Sequence, residues 1–407
     1  MQPLQTLSDI PGVQLEVMWD ETLINLDHPY VDQWLKQHGR LISHLTMEIY
    51  VSNDRLKLRE FSNAAAHCRS IDLDIRHSSY QVVDLADLDP VAGSLRDLIF
   101  QSWNPELGSL IGTSALISMS HLTGLQICGE DLGSEEPWGL LAKLTGLQQL
   151  VFKGRAIGDP SPLSALTGLS HLYLQADAQG PFSFSSLQPL STLRQLQALR
   201  LGRCFSAATP LQGLAELSNL KLLVLKCYEG QGGMLRSLDG ISSGVTNLFI
   251  SSASGLVSLA GIEGCKSMED LSLRYCGVSS LQPLRGLSSL KQLGVVNCNL
   301  TSLEGLNSIS LQYLTLSYCP SLTHLSGTEH LSALKKLHVM GCGSVTSLQP
   351  LSQLGVGLQV LKVFWCNEVQ EEVLELPNVQ PTADVAVHES NVREVVLAGG
   401  VRRAAWP

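Results

Sequence analysis

"LSSLKQLGVVNCNLTSLEGL", residues 287–306, decides how the chain folds. Leucine or valine stands at 287, 290, 293 and 295, and cysteine at 298. Aligned on Leu293, the pattern L-x-x-L-x-x-L-x-L-x-x-C recurs through most of the chain. Its third leucine, the anchor, falls at Leu125, Leu150, Leu172, Leu199, Leu223, Leu248, Leu271, Leu293, Leu314, Leu337 and Leu361. Looser copies extend it upstream, with "SLRDLIF" anchored at Leu98, "RSIDLDI" at Ile71, "ISHLTMEI" at Leu45 and "GVQLEVM" at Leu15.

Eleven registered units with a period inside the 20–29-residue range identify a leucine-rich repeat. The expected fold class is α/β: a solenoid (horseshoe) with a parallel β-sheet on its concave face and helices, 3₁₀ turns or loops on its convex face. Residues 41–370 form that solenoid, residues 1–40 an N-terminal cap or degenerate first repeat, and residues 371–407 a C-terminal cap and tail. "HPYVDQWLKQHG" and "NDRLKLREFSNAAAHC" carry cap residues and helix formers, so the N-terminal units are expected to use full helices. Later units carry "SLQPL" or "SLEGL" instead, whose proline or glycine favours turns and short 3₁₀ pieces. "ADVAVHES" fits one more strand around Val385. "NVREVVLAGG" closes the stack, and "VRRAAWP" reads as a loose tail.

Six of the ten cysteines stand five residues past an anchor: Cys204, Cys276, Cys298, Cys319, Cys342 and Cys366. A nucleophile is needed once, and a zinc site needs about four ligands converging on one point. One thiol per repeat along the solenoid axis fits neither. The position suits a small buried residue with a weak S–H donor, so the cysteines are read as packing parts and ten free thiols are expected. Disulfides between neighbouring repeats are the alternative, since strands about 4.8 Å apart bring Cα atoms within bonding range.

Other motifs carry less. "GISSG", residues 240–244, fits the G-x-S-x-G nucleophile pattern, but Ser242 falls in a loop leading into a strand and not on a strand-to-helix elbow. The eleven histidines show no metal spacing. His44, His171 and His338 fall on strands, facing outward. No phosphate-binding glycine motif occurs, and no metal or cofactor is expected. "NLT" at 299–301 is a glycosylation sequon, idle without a secretory signal. The start "MQPLQTLSDIPGV" lacks the basic and apolar regions of a signal peptide, and no apolar run reaches the length of a membrane span. These features predict a cytoplasmic protein, with the nucleus as the alternative.

With the anchors pointing inward, the positions at −1, +1 and +3 point outward. Over the ten strands from Leu150 to Leu361 they hold six bases (Lys153, Arg200, Lys226, Arg274, Lys336, Lys362) and one acid, Asp270. The whole chain has 37 acids against 27 bases and a net charge of −10, so the stripe runs against composition. Tyr173, Phe249, Tyr313 and Phe364 share it, with Tyr275, Tyr318 and Trp365 one position further along. The expected partner-binding residues are Tyr313, Tyr318, His338, Met340, Phe364, Trp365, Lys336, Lys362, Arg274 and Lys226. Basic and aromatic residues together suit a protein partner with an acidic surface. The acidic total and the lack of a dense basic run argue against nucleic acid. Nothing in the pattern calls for an enzyme.

The units "LRYCGVSSLQPLRGLSSLKQLGVVNC" and "LSYCPSLTHL" resemble the cysteine-bearing repeats of eukaryotic proteins, including F-box substrate receptors, and repeat families of protists and green algae. Internalin-like bacterial repeats are similar in length but generally use asparagine at the cysteine position. The resemblance covers about residues 41–370 and implies a non-enzymatic interaction scaffold. Its alternative is the substrate-recognition subunit of an F-box-type ubiquitin ligase, although no F-box is visible.

Overall fold

A computed structural model describes residues 15–20, 33, 36–49, 59, 62–63, 65–75, 81–102, 108–131, 137–155, 158–176, 184–204, 211–227, 235–306, 310–354, 357–371, 373–388, 390 and 392–404. The chain divides into two compact units, Met1–Phe184 with Thr192–Ala198, and Ser185–Ser191 with Leu199–Pro407.

In the first unit, parallel strands follow one another in chain order: Leu15–Asp20, Ile42–Ile49, Ser70–Ile75, Asp97–Ser102, Gly124–Asp131, Gln149–Arg155 and His171–Ala176. Leu45, Ile71, Leu98, Leu125, Leu150 and Leu172 lie side by side in the ladder, as the repeat alignment requires. The first strand departs from it. Val17, not Leu15, pairs with Leu45, and the register shifts between Leu15 and Glu16.

The second unit continues the rule with Leu222–Lys226, Asn247–Ser251, Asp270–Arg274, Gln292–Val296, Tyr313–Ser317, Lys336–Met340, Val360–Phe364 and Asp384–His388. Leu223, Leu248, Leu271, Leu293, Leu314, Leu337, Leu361 and Val385 stand in one row. The strand expected around Val385 is therefore present. The segment 401–404, expected to be loose, instead pairs: Val401–Ala404 runs antiparallel to Glu394–Leu397, which itself lies parallel to Val373–Leu376. An Arg402–Glu394 ion pair of 3.0 Å and an Arg403 hydrogen bond to the Ala383 carbonyl (3.0 Å) hold this end in place.

Burial follows the two-residue period of the strands. In Gln292–Val296, Leu293 and Val295 are buried, Gln292 is exposed, and Gly294 and Val296 are half-buried. The opening stretch also buries Leu287, Leu290, Cys298, Leu300, Leu303 and Leu306. Leucine suits both environments here, because its flexible side chain fills the space between sheet and turns in low-energy rotamers.

On the far side of the core the chain turns rather than coils. Gln282–Leu284 and Gln349–Gln353 are 3₁₀ pieces, each introduced by a serine whose Oγ accepts the N–H two residues on (Gln282 N to Ser280, 3.3 Å; Gln349 N to Ser347, 3.1 Å). That bond is why "SLQPL" makes a turn: the side chain satisfies a backbone donor while proline fixes the next φ. In the N-terminal segments expected to be helical, the described residues 33, 36–38, 59 and 62–63 are helical and the rest lie outside the described residues. The two following turns, Leu85–Val91 and Thr113–Ser118, are 3₁₀ and not full helices.

Gly305 shows how closely successive turns stack. Its φ is +101°, and a Cβ there would come within 2.7 Å of Gln282 Cα and the Leu281 oxygen, both backbone atoms of the preceding turn. Gly264 has ordinary φ and no atom within 4 Å of such a Cβ. Gly305→Ala is expected to destabilise the protein by about 2 kcal/mol or more, combining left-handed strain with overpacking. Gly264→Ala is expected to stay within about 0.5 kcal/mol of the parent. Paired denaturant titrations measure both.

Candidate functional site

The geometry of the outward face begins at the end of each strand. Four residues past the anchor, Arg203, Ser252, Tyr275, Asn297, Tyr318 and Trp365 all have φ between +52° and +57°, and Gly341 has +63°. In this left-handed conformation the backbone N–H reaches sideways to the last carbonyl of the next strand. Tyr275 donates to Val296 (2.9 Å), Asn297 to Ser317 (2.8 Å), Tyr318 to Met340 (2.7 Å) and Gly341 to Phe364 (2.8 Å). The turn sends the fourth side chain outward and returns the fifth to the core. Tyr275, Tyr318 and Trp365 are 47%, 51% and 42% exposed, whereas Cys276, Cys319 and Cys366 are buried.

Each returning thiol then donates to the carbonyl two residues back, at 3.3 Å for Cys276, 3.5 Å for Cys298, Cys319 and Cys366, and 3.7 Å for Cys342. Burial pushes the thiols of Cys227 and Cys265 up to about 11 and that of Cys366 up to about 12. Cys276 is raised by the neighbouring Cys298 sulfur and by burial, and Cys319 by Cys342 and by burial. All ten cysteines are free, and Cys128 alone is not fully buried.

Eight of the ten residues expected to bind a partner lie on three adjacent strands and the turns that follow them. In the register Tyr313 lies beside Lys336, Thr315 beside His338 and then Lys362, and Ser317 beside Met340 and then Phe364. Tyr318 and Trp365 flank this group at the strand ends. The Lys336 Nζ sits 5.4 Å from the centre of the Tyr313 ring. Phe364 packs against Trp365 (6.1 Å) and His388 (5.0 Å). Arg274 and Lys226 are exposed but further off: the Arg274 strand is two strand positions from Tyr313, and Lys226 two more.

The strand Asp384–His388 changes the electrostatics of this patch. Asp384 approaches Lys362 to 3.9 Å, so one of the two lysines is already paired. His338 is half-buried and its Nε2 is buried without a partner among the described residues. Burial lowers its pKa, as do the charges of Lys362 and Lys336, while Asp384 opposes them. These influences favour the neutral imidazole.

The first unit carries the opposite sign. In its first four strands the −1, +1 and +3 register positions hold Glu16, Asp20, Glu48, Asp72, Asp74 and Asp97, with no lysine or arginine. A count beginning at Leu150 passes over these acids. Taking Val17 as the first anchor brings Asp20 into the rows and keeps Glu16 there.

The sequence matches no protein-family model and no curated protein. Solved structures match in fold. A leucine-rich repeat protein of Leptospira interrogans aligns with a TM-score of 0.57 at 15% identity, covering 91% of this chain and 93% of its own. The functional domain of InlJ from Listeria monocytogenes, which includes a cysteine ladder, aligns with a TM-score of 0.53 at 14% identity over 89% of this chain and 70% of its own. The Listeria internalin InlF aligns with a TM-score of 0.51 at 17% identity over 76% and 83%. The chain has the leucine-rich repeat fold.

These structures lend no support to the eukaryotic or F-box resemblance. The G-x-S-x-G match also resolves into repeat architecture. Ser242 is 1% exposed, donates to the Leu217 carbonyl at 2.8 Å and accepts from Gly244 N, so its hydroxyl staples one turn to the preceding repeat. Among the described residues no group of three or more His, Cys, Asp or Glu is placed to hold a metal, and no helix is long and apolar enough to cross a membrane.

A thiol whose pKa is higher folded than unfolded contributes stability below its unfolded value, and that contribution is lost as pH rises through the folded value. Stability is therefore expected to hold up to the ordinary thiol value of 9.0 and to fall from there towards about 11–12. The fall should be shallower in Cys366→Ala, as read by denaturant unfolding across that range. With a thiol reagent at neutral pH, Cys128 is expected to react first in the native protein and all ten cysteines after denaturation.

Proposed function

We propose that this protein is a non-enzymatic interaction scaffold that holds a protein partner on the solvent-facing side of its sheet. The patch formed by Tyr313, Lys336, His338, Met340, Lys362 and Phe364, flanked by Tyr318 and Trp365, is its centre. The observation that carries this reading is the convergence of half-buried and exposed aromatic rings with lysines on three adjacent strands. Aromatic anchors beside cations are the residue types that dominate binding energy at protein interfaces. The partner contributes an acidic surface: Lys336 faces solvent, Lys362 has one exposed carboxylate partner to exchange, and Arg274 and Lys226 extend the positive charge along the second unit. His338, whose surroundings favour the neutral imidazole, lies between the two lysines and so lessens the positive charge a partner must bury.

The experiment is capture of the native partner by the purified protein, with Tyr313→Ala plus Phe364→Ala as the variant. Each ring in such a setting is worth about 2 kcal/mol or more, so the double variant is expected to lose capture at least 100-fold. Circular dichroism and the unfolding midpoint should remain those of a folded protein. Raised salt should weaken binding of the parent, because screening acts on exposed charges. Undiminished capture by the variant places the binding surface elsewhere.

A further inference from the structure

The fourth position past the anchor forms its own row outside the sheet face: Tyr275, Asn297, Tyr318, Gly341 and Trp365, on five consecutive strands. Aromatic residues occupy every second place. The backbone here is left-handed, which suits glycine and asparagine and opposes bulky residues. Gly341 and Asn297 obey that preference, and the three aromatics do not. Gly341 also makes room for its neighbour, since a Cβ there would lie 2.5 Å from Tyr318 Cδ1 and 2.6 Å from Cε1. The Tyr318 ring thus rests on the next turn with half its surface left to solvent.

Spacing decides what such a row fits. Neighbouring strands are about 4.8 Å apart, so the aromatics recur about every 9.6 Å. A bound β-strand repeats its side chains on one face about every 6.8 Å. An α-helix turns every 5.4 Å, and two turns overshoot by about 1.2 Å. A polyproline II helix repeats every three residues at 3.1 Å each, about 9.3 Å, and stays within about 0.6 Å over the whole row. Its carbonyls have no internal hydrogen bonds. The row offers them donors: two tyrosine hydroxyls, the Asn297 amide and the Trp365 indole N–H.

We propose that the row Tyr275–Asn297–Tyr318–Gly341–Trp365 docks a proline-rich segment in the polyproline II conformation, laid across the strands. This rests on the reading of the protein as a protein-binding scaffold and names the conformation of what it holds. One residue in three packs against an aromatic ring, and the intervening carbonyls accept from the polar donors. Arg274, exposed beside Tyr275, favours an acidic residue at that end of the segment.

The test is fluorescence anisotropy with a labelled oligoproline peptide of at least seven residues, bearing one terminal aspartate, against the full chain. Controls are a glycine–serine peptide of equal length and a β-1,4-linked glucan oligomer. Tyr318→Asn with Trp365→Asn removes two rings while supplying the residue that the repeat already uses at Asn297, so the fold is kept. The double variant is expected to weaken oligoproline binding at least tenfold, and Val257→Ala, at an exposed turn, to leave it unchanged. The inference is overturned if oligoproline does not saturate the protein, if the glycine–serine peptide binds equally, if the double variant retains binding, or if the glucan binds in the peptide's place. If oligoproline fails while Tyr313→Ala plus Phe364→Ala still abolishes partner capture, the scaffold reading stands without the polyproline docking.

Discussion

The N–H of the residue four places past each leucine anchor must find an acceptor beyond its own strand, and the acceptor it finds is the last carbonyl of the next strand. At Arg203, Ser252, Tyr275, Asn297, Tyr318 and Gly341 the residue that makes this bond then turns left-handed. An unpaired amide there would cost a comparable amount to a lost hydrogen bond in every repeat. Once the turn is made, the next side chain must point down into the end of the core, where a large group does not fit. The thiol fits the space and has just enough donor character to reach the carbonyl two residues back. The buried cysteine file and the outward-facing fourth position are thus two consequences of one backbone turn.

Electrostatics on the second unit are more balanced than a count of lysines suggests. The Lys362–Asp384 pair lies at 3.9 Å with both side chains well exposed, so it contributes only about 0–1 kcal/mol. An exposed pair of this strength can exchange its partner at little cost. Lys336 lies over the Tyr313 ring, an arrangement worth about 0.5–1 kcal/mol at an exposed site. These weak engagements hold the cations in place without neutralising them, which favours steering of an acidic surface more than raw affinity.

The scaffold was legible because its signal is repeated. Leucine at fixed offsets specifies the ladder many times over, and one weak copy does not disturb the rest. The first strand shows what happens without that redundancy: Leu15 and Val17 both suit an anchor, and only pairing with Leu45 selects Val17. The pairing of Val401–Ala404 is illegible in the sequence for a related reason, since it depends on Glu394 and on carbonyls around residue 383, contacts no local pattern announces. On the outward face, strand alternation placed Tyr313, Lys336, His338, Lys362 and Phe364 correctly. Tyr318 and Trp365, expected in the same patch one position further along, do not follow from alternation, which alone would turn a fourth-position residue into the core. Asn297 and Gly341 at the same offset were the available clue, being residues that accept the left-handed turn.

The energetics of that row explain how it can be occupied by aromatics at all. A bulky residue in the left-handed region costs about 1–2 kcal/mol. A tyrosine or tryptophan presents about 150–250 Å², and covering half of it returns about 2–3 kcal/mol at roughly 25 cal/mol per Å². Tyr318, half covered by lying across Gly341, and Trp365, packed on Phe364, therefore come close to neutral for folding. Stability neither demands these rings nor forbids them. What burial does not account for is the half that faces solvent, repeated on alternate strands with small or polar residues between. A surface that is neutral for the fold and periodic in space is one that recognition can shape without cost to the scaffold beneath it.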